Sequence, residues 1–344
     1  LGSLFTWVGM KRTPVQEAKM GDIIAMAGFK NITIGETVTD ADHPDALPRI
    51  KIDEPTLSMI FRVNKSPFAG QEGDFVTSRH IRARLQKEIE TNVALRVEDT
   101  DTSDAFKVSG RGELHLSVLI EMMRREGFEL EISKPHVIYK EIDGKKCEPI
   151  EHLTVEVPQE YMGAVMEGLG PRRAEMVSMN ELAGYMRMEF SIPARGLIGF
   201  RNELLTTTRG TGIMYHVFEG YAPYKGDIPG RTRGSLVAFE NGTTTAYGLN
   251  SVLERGELFI EPGTEVYEGM IIGENSREND MDVNPCKKKH LTNTRAAASD
   301  EAIRLPPCRK FTLEGALEWI NDDELVEVTP KSIRMRKAVI SRQE

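Results

Sequence analysis

One order of local patterns occurs twice in this chain of 344 residues, and it limits the fold more than any other feature. LSMIFRVN (57–64) reads as a strand. Thr77 or Ser78 can cap a helix in which Ile81, Leu85 and Ile89 recur at four-residue spacing. ALRVED (94–99) and AFKVSG (105–110) follow as strands. A second helix from Arg111 to Arg125 carries Leu114, Val118 and Met122 and stops at Gly127, and VIYKEI (137–142) closes the unit. The order then begins again with the strand HLTVEVP (152–158) and a short helix marked by Tyr161, Val165 and Leu169. EMVSM (175–179) and YMRMEFSIP (185–193) are strands, the latter alternating strictly through Met186, Met188, Phe190 and Ile192. A helix bearing Leu197, Phe200, Leu204 and Thr208 and the strand GIMYHVFEGY (212–221) complete the repeat. Strand-helix-strand-strand-helix-strand is the ferredoxin-like order. Each unit is expected to cover one sheet face with two helices and leave the other face free to bind.

The flanks differ. LFTWV, GDIIAMAG (21–28) and GETV (35–38) are short apolar runs between turn residues, read as the trailing part of a β-barrel. DADHPDALPRIKIDEP (40–55) reads as a linker. Beyond 225, RGSLVAFENG, TTTAYGLN, GELFIEPG and EVYEGMIIG are β-rich. One helix follows, capped by Thr312 with a stripe of Leu313, Ala316, Leu317 and Ile320, and LVEVTPKSIRMRKAVI reads as a hairpin. The expected class is therefore α+β. A partial barrel (1–47) precedes two tandem ferredoxin-like βαββαβ domains (54–142 and 147–224), and a β-rich C-terminal domain with one helix occupies 225–344.

Composition and motifs exclude several functions. Hydrophobic residues make up 40%, enough for packed cores. No apolar run approaches the roughly 18 residues that cross a bilayer, and no charged leader with an apolar segment opens the chain. Leu1-Gly2-Ser3, without an initiator Met, reads as a fragment or an expression remnant. Cys147, Cys286 and Cys308 are odd in number and widely spaced, which suits a reducing cytoplasm. There is no GxxxxGK[ST] phosphate loop, no GxGxxG, no CxxC and no HExxH. The glycines of SGRGELH (109–115) suit a strand-to-helix turn, and NKSP (64–67) lacks the aspartate of a guanine-reading element. Asp322-Asp323-Glu324 reads as a solvated turn, and ARGLIGFR (194–201) has no nucleophile–base pair beside it. No catalytic constellation emerges.

Net charge is −9, so any contact with nucleic acid has to be local. NPCKKKHLTNTRAAASDEA (284–302) opens a region that is basic against this background. From 287 to 310, seven basic residues (Lys287, Lys288, Lys289, Arg295, Arg304, Arg309 and Lys310) face only Asp300 and Glu301. Three readings compete: a solvated loop, a metal site on Cys286 and His290, and an RNA-binding arm. The metal site is the poorest, since two ligands four apart have no companions. Thr292, Thr294 and Asn293 add groups that read phosphate and sugar. A second cluster, Arg172, Arg173, Arg195, Arg201 and Arg209, sits near helix ends of the second repeat, where phosphates are favoured, although a solvated helix face is an equal reading.

Six stretches carry a resemblance over nearly the whole chain: residues 54–79, 92–130, ARGLIGFRNELLTTTRGTG (194–212), EVYEGMIIGENSREND (265–280), KKKHLTNTRAAASDEA (287–302) and DDELVEVTPKSIRMRK (322–337). They resemble the BipA/TypA translational GTPases, relatives of elongation factor G. The resemblance implies the C-terminal portion of such a protein, without its GTP-binding domain, so that the parent binds GTP and Mg while this portion has no cofactor and no catalysis. It implies a cytoplasmic monomer that docks in the ribosomal cleft used by elongation factor G and serves stress adaptation and ribosome assembly. Its partners would be large-subunit rRNA, aminoacyl-site tRNA and, through the barrel, the small subunit. The RNA contacts carried over are Lys287, Lys288, Lys289, His290, Thr292, Asn293 and Arg295, with Arg195 and Arg201 toward large-subunit RNA. Two other functions stay open on the residues alone. Ferredoxin-like domains host many small-molecule enzymes, and free sheet faces suit protein scaffolds.

Overall fold

The computed structural model describes residues 2–29, 32, 34–49, 54–288 and 304–340. It divides the chain into two units, Leu1–Ile52 with Glu90–Val93, and Asp53–Ile89 with Ala94–Glu344. The class is mixed α+β.

In the first unit, strands β1 (Ser3–Val8), β2 (Lys11–Pro14) and β3 (Ile24–Ala27) form an antiparallel sheet in the order β2-β1-β3. Val8 pairs with Lys11 across a two-residue turn, and Gly9 supplies the positive φ (63°) that such a turn requires. GETV (35–38) is not a strand, and no barrel closes among the described residues. Those four residues lack a partner run of matching alternation.

The second unit begins with β4 (Leu57–Val63), α1 (Ser78–Thr91), β5 (Arg96–Asp99), β6 (Ala105–Gly110), α2 (Glu113–Arg125) and β7 (Leu130–Ser133). Thr77 caps α1, its hydroxyl accepting from the His80 N–H at 3.4 Å. Two expectations fail here. The closing strand is LEIS (130–133), which pairs with β4, whereas VIYKEI splits into β8 (His136–Val137) and β9 (Lys140–Ile142). The chain must leave the Gly127 turn directly into the sheet, and Leu130 and Ile132 are the buried alternating pair that does so. Helix α2 also buries Leu116, Leu119, Ile120 and Met123, leaving Leu114, Val118 and Met122 exposed. Both stripes have helical spacing; the buried one is wider, with four residues at three- and four-residue steps.

The second repeat runs through β10 (Lys145–Pro158), α3 (Met162–Leu169), β11 (Glu175–Leu182), β12 (Tyr185–Pro193), α4 (Ala194–Leu197), α5 (Phe200–Thr207) and β13 (Ile213–Pro223). Met186, Met188, Phe190 and Ile192 are buried as their alternation requires. The helix expected from Leu197 to Thr208 is broken at Gly199, whose φ of 76° interrupts it. Sheet orders are β7-β4-β6-β5 and β11-β12-β10-β13, antiparallel throughout.

The C-terminal elements are β14 (Ser235–Ala238), β15 (Gly242–Thr243), α6 (Ala246–Leu253), β16 (Gly256–Leu258), β17 (Glu265–Val266), β18 (Met270–Asn275), β19 (Met281–Val283), α7 (Leu313–Trp319), β20 (Glu324–Val328) and β21 (Ile333–Lys337). The described residues of this region hold two helices, not one: TTTAYGLN starts α6, because Thr245 caps it and Leu249 and Val252 bury one face. Helix α7 begins at its expected cap, Thr312. Among the described residues no helix is long and apolar enough to cross a membrane.

β15 and β17 pair with each other, and the other C-terminal strands join the first repeat in one sheet, ordered β19-β14-β18-β21-β20-β7-β4-β6-β5 with β16 beside β18. The joint is β20 against β7, which places Glu327 opposite Glu131. Like charges facing across strands are unfavourable, and both side chains are buried. Arg336 resolves one of them, donating to Glu131 from Nε (2.9 Å) and Nη2 (2.6 Å). Arg334 donates to Glu327 at 3.0 Å, together with Asn64 (3.0 Å), Ser66 (2.9 Å) and the Tyr267 hydroxyl (2.7 Å). One core then spans the joint, from Phe61, Leu116 and Ile120 to Val326, Leu317 and Trp319.

Arg336→Ala should leave Glu131 buried without a cation, its Oε1 still accepting from the Lys65 N–H at 2.9 Å, at a cost of about 3–5 kcal/mol. Replacing both by leucine should recover most of that loss. Urea midpoints of the two variants measure it, and a milder effect of the single change than of the double one would refute the account.

Candidate nucleic-acid interface

The basic segment leaves the sheet at the end of β19. Asn284 folds the chain by accepting from the Cys286 N–H at 2.9 Å, an Asx turn carried by Pro285. Lys287 and Lys288 come next, both exposed, and neither makes an ion pair with a described residue. Lys289, His290, Thr292, Asn293 and Arg295 lie outside the described residues. The segment returns at Arg304, also exposed, and Leu305 packs against the C-terminal core.

Its two feet stand on fixed structure. The Thr245 N–H donates to the Pro285 carbonyl at 3.0 Å, and the Arg309 N–H donates to the Leu258 carbonyl at 2.9 Å. Arg309 pairs with Glu274 (3.4 Å) and lies 4.7 Å from the Phe311 ring, and Lys310 pairs with Glu261 (2.9 Å). The seven basic residues counted in sequence are therefore not equivalent. Two are engaged locally, and Lys287, Lys288 and Arg304 present free charge. Cys286 is half-buried beside Gly242, with its thiol raised above the usual range by burial, and no group of three metal ligands occurs among the described residues.

The arginines of the second repeat divide in the same way. Arg195 is mostly enclosed: it forms a two-pronged pair with the buried Glu148, donates to the Gly226 carbonyl and lies 4.5 Å from the Tyr224 ring. Its guanidinium is spent holding the turn after β13. Arg172 donates to the carbonyls of Gly196 (2.9 Å) and Ile198 (2.8 Å) and to Glu203 (2.7 Å), which sets the break between α4 and α5. Arg173 donates to the Asp227 carbonyl at 3.1 Å. Arg201, on α5, is exposed and has no described ion-pair partner.

A cleft of ≈ 1430 Å³ opens beside these residues, lined by Arg172, Arg195, Arg231, Arg309, Phe311 and Trp319 among others. Its arginines are each matched to a carboxylate, while Lys134, also in its lining, has no described ion pair. At its edge three elements meet around Gly199. The Glu113 carboxylate, at the start of α2, accepts from the Gly199 N–H at 3.1 Å, and its Oε1 is buried with no described partner. Glu318 of α7 packs so closely on Gly199 that a Cβ there would collide with its carboxyl group. Burial pushes the Glu113 carboxyl up to about 7 against the pull of the Gly199 N–H, and the Glu318 and Glu314 charges push the same way. Burial also raises Glu318, opposed by the Asn202 amide and Arg172.

Sequence reasoning found the lysines but missed Thr245, which holds their foot, because TTTAYGLN reads as a strand until Thr245 is seen as a helix cap. Nothing in sequence separates the spent arginine, Arg195, from the free one, Arg201.

Residues 233–342 match the TypA/BipA C-terminal domain family, and residues 145–232 match the elongation factor G C-terminus family. The "Large ribosomal subunit assembly factor BipA" of Bacillus subtilis (strain 168) is 52% identical over 99% of this chain and 56% of its own length. The protein of the same name from Synechocystis sp. is 54% identical over 98% of this chain and 57% of its own. That of Salmonella typhimurium is 52% identical over 98% and 56%. The chain thus spans a little over half the length of these relatives.

The Glu113 junction has a consequence for stability. Between about pH 4.5 and 7 the folded chain keeps a proton on Glu113 that the unfolded chain has released. This contribution is whole below the unfolded value and is lost as pH rises through 7, about 3 kcal/mol in all. Glu113→Gln should therefore raise the urea midpoint at about pH 8 and change it little at about pH 4.5. An equal effect at both would contradict the burial argument.

Proposed function

The chain belongs to the TypA/BipA family, matching its C-terminal portion, and on that premise we propose that it is the ribosome-binding module of a translational GTPase that acts in large-subunit assembly and stress adaptation. The observation that carries this reading is the match itself. About half of the residues are identical, over essentially the whole chain, with relatives named as large ribosomal subunit assembly factors. The free lysines at a structurally fixed foot support it physically.

In this reading residues 1–47 are barrel-derived and face the small subunit. Residues 54–142 and 147–224 are ferredoxin-like modules equivalent to the third and fifth domains of elongation factor G, and 225–344 form the family's own C-terminal domain. The sheet orders of the two repeats, each with its first strand between the third and the fourth, support the ferredoxin-like reading. The module docks, as a cytoplasmic monomer, in the cleft that elongation factor G uses. Its basic segment (Lys287, Lys288, Lys289, His290, Thr292, Asn293 and Arg295) contacts large-subunit RNA and the acceptor end of aminoacyl-site tRNA. Arg201 adds a contact from α5, and Arg195 acts from behind by holding the turn after β13. In this reading the module holds no cofactor, and it hydrolyses no GTP because its sequence contains no phosphate-cradling GxxxxGK[ST] loop. GTP and Mg belong to the GTP-binding domain of a full-length family member.

Sedimentation with bacterial ribosomes over a salt series tests this. Binding should weaken with salt, with a slope of roughly 0.7–0.9 per phosphate neutralised. Replacing Lys287, Lys288 and Lys289 with alanine should lower that slope by about 2–3. Binding that ignores salt, or a slope untouched by the triple replacement, would remove the RNA arm from the reading.

A further inference from the structure

We propose that Thr245 and Gly248 form a clamp that positions Lys287 and Lys288 for phosphate contact. The inference rests on the reading of these lysines as RNA contacts and names the residues that aim them. Thr245 has two roles at one oxygen. Its Oγ1 accepts from the Gly248 N–H at 2.9 Å, capping α6, and the same hydroxyl donates to the Lys287 carbonyl at 2.6 Å. Its backbone N–H donates to the Pro285 carbonyl at 3.0 Å. One residue thus fixes the carbonyls on either side of Cys286 and ties them to the first turn of a helix.

Gly248 completes the clamp by having no side chain. It is buried in the first turn of α6, and a Cβ there would run into the Pro285 carbonyl group and stand 3.1 Å from the Lys287 nitrogen. Its φ is that of an ordinary helix residue, so backbone freedom is not why glycine is needed; close approach is. Helix α6 is in turn anchored in the C-terminal core by Leu249 and Val252. The backbone of Lys287 is therefore held although its side chain is free in solvent. A lysine on a fixed backbone loses less freedom when it pairs with phosphate than one on a loose loop, and preorganisation of that kind raises affinity without adding a contact.

The test uses the full chain and a fluorescein-labelled RNA stem–loop, with affinity read by anisotropy over a salt series and folding checked by thermal melts. Five proteins are compared with the parent: Lys287→Ala/Lys288→Ala, Thr245→Val, Thr245→Ser, Gly248→Ala, and Gly248→Ala combined with the double lysine change. Thr245→Val and Gly248→Ala should each weaken binding roughly threefold to tenfold while the salt slope stays near the parent's, because the lysines and the number of phosphates they neutralise are unchanged. Thr245→Ser keeps both hydrogen bonds and should bind like the parent. Gly248→Ala should add little to the double lysine change, because clamp and lysines act as one unit. Should Thr245→Val fail to fold, Gly248→Ala decides, since alanine favours the helix itself and disturbs only the segment packed on it. If the double lysine change leaves binding intact, the RNA reading of these lysines falls. If it weakens binding while Thr245→Val and Gly248→Ala match the parent in affinity, the clamp alone is overturned.

Discussion

The pairing of β20 with β7 is the constraint from which the second unit's organisation follows. Without it the first repeat ends at an open sheet edge and the C-terminal strands form a separate small sheet. With it, one hydrogen-bonded surface runs from β5 to β19. Its register sets two glutamates face to face in a dry interior, a placement that survives only because Arg334 and Arg336 arrive from the next strand. Buried ion pairs of this kind add little net stability over an apolar core, yet they penalise mispairing severely. A slip of one residue along β20 would turn Glu327 away from Arg334, Asn64, Ser66 and Tyr267 at once, so the charges specify the register.

That register reaches the basic segment through a short mechanical path. From β20 the sheet passes to β21, then β18, and there it divides. One branch is β16, whose Leu258 carbonyl holds the returning foot at Arg309; the other is β14 and β19, which end one residue before Asn284. One foot thus stands on β16, a neighbour of β18, and the other follows β19, which reaches β18 through β14. The acidic character of the protein also looks different from inside. Glu129, Glu131, Glu148, Glu151, Glu324 and Glu327 are buried, where they hold arginines, backbone N–H groups or polar side chains.

Much of this was legible in the sequence where one period dominated. The alternation of 185–193 gave β12 its buried face, and the caps Thr77 and Thr312 gave two helix starts. Legibility failed where two readings shared a period or where long-range contacts chose. Helix α2 has two apolar stripes, and only the sheet beneath it decides for Leu116, Leu119, Ile120 and Met123. Glu324 looked like part of a solvated turn, yet it is buried beneath Arg231 and Lys337 from distant segments. In the candidate interface the charges were visible as letters, but which of them are spent depends on partners such as Glu148, Glu261 and Glu274, which no local pattern reveals.

The Gly199 junction shows why the second repeat needs a different kind of attachment. Among the described residues it shares no strand pairing with the large sheet, so it does not inherit register from β20 and β7. Its attachment instead gathers the start of α2, the break between α4 and α5, and α7 around one glycine N–H and two carboxyl groups. Hydrogen-bonded strands fail together, whereas a junction built on a buried carboxyl answers to its protonation. Arg172 braces the same break by donating to the carbonyls of Gly196 and Ile198. The basic segment and the acidic junction are therefore separate in kind. The first rests on strand pairing and a threonine hydroxyl, and the second ties the Arg201 helix to the same frame through a buried carboxyl that burial has raised.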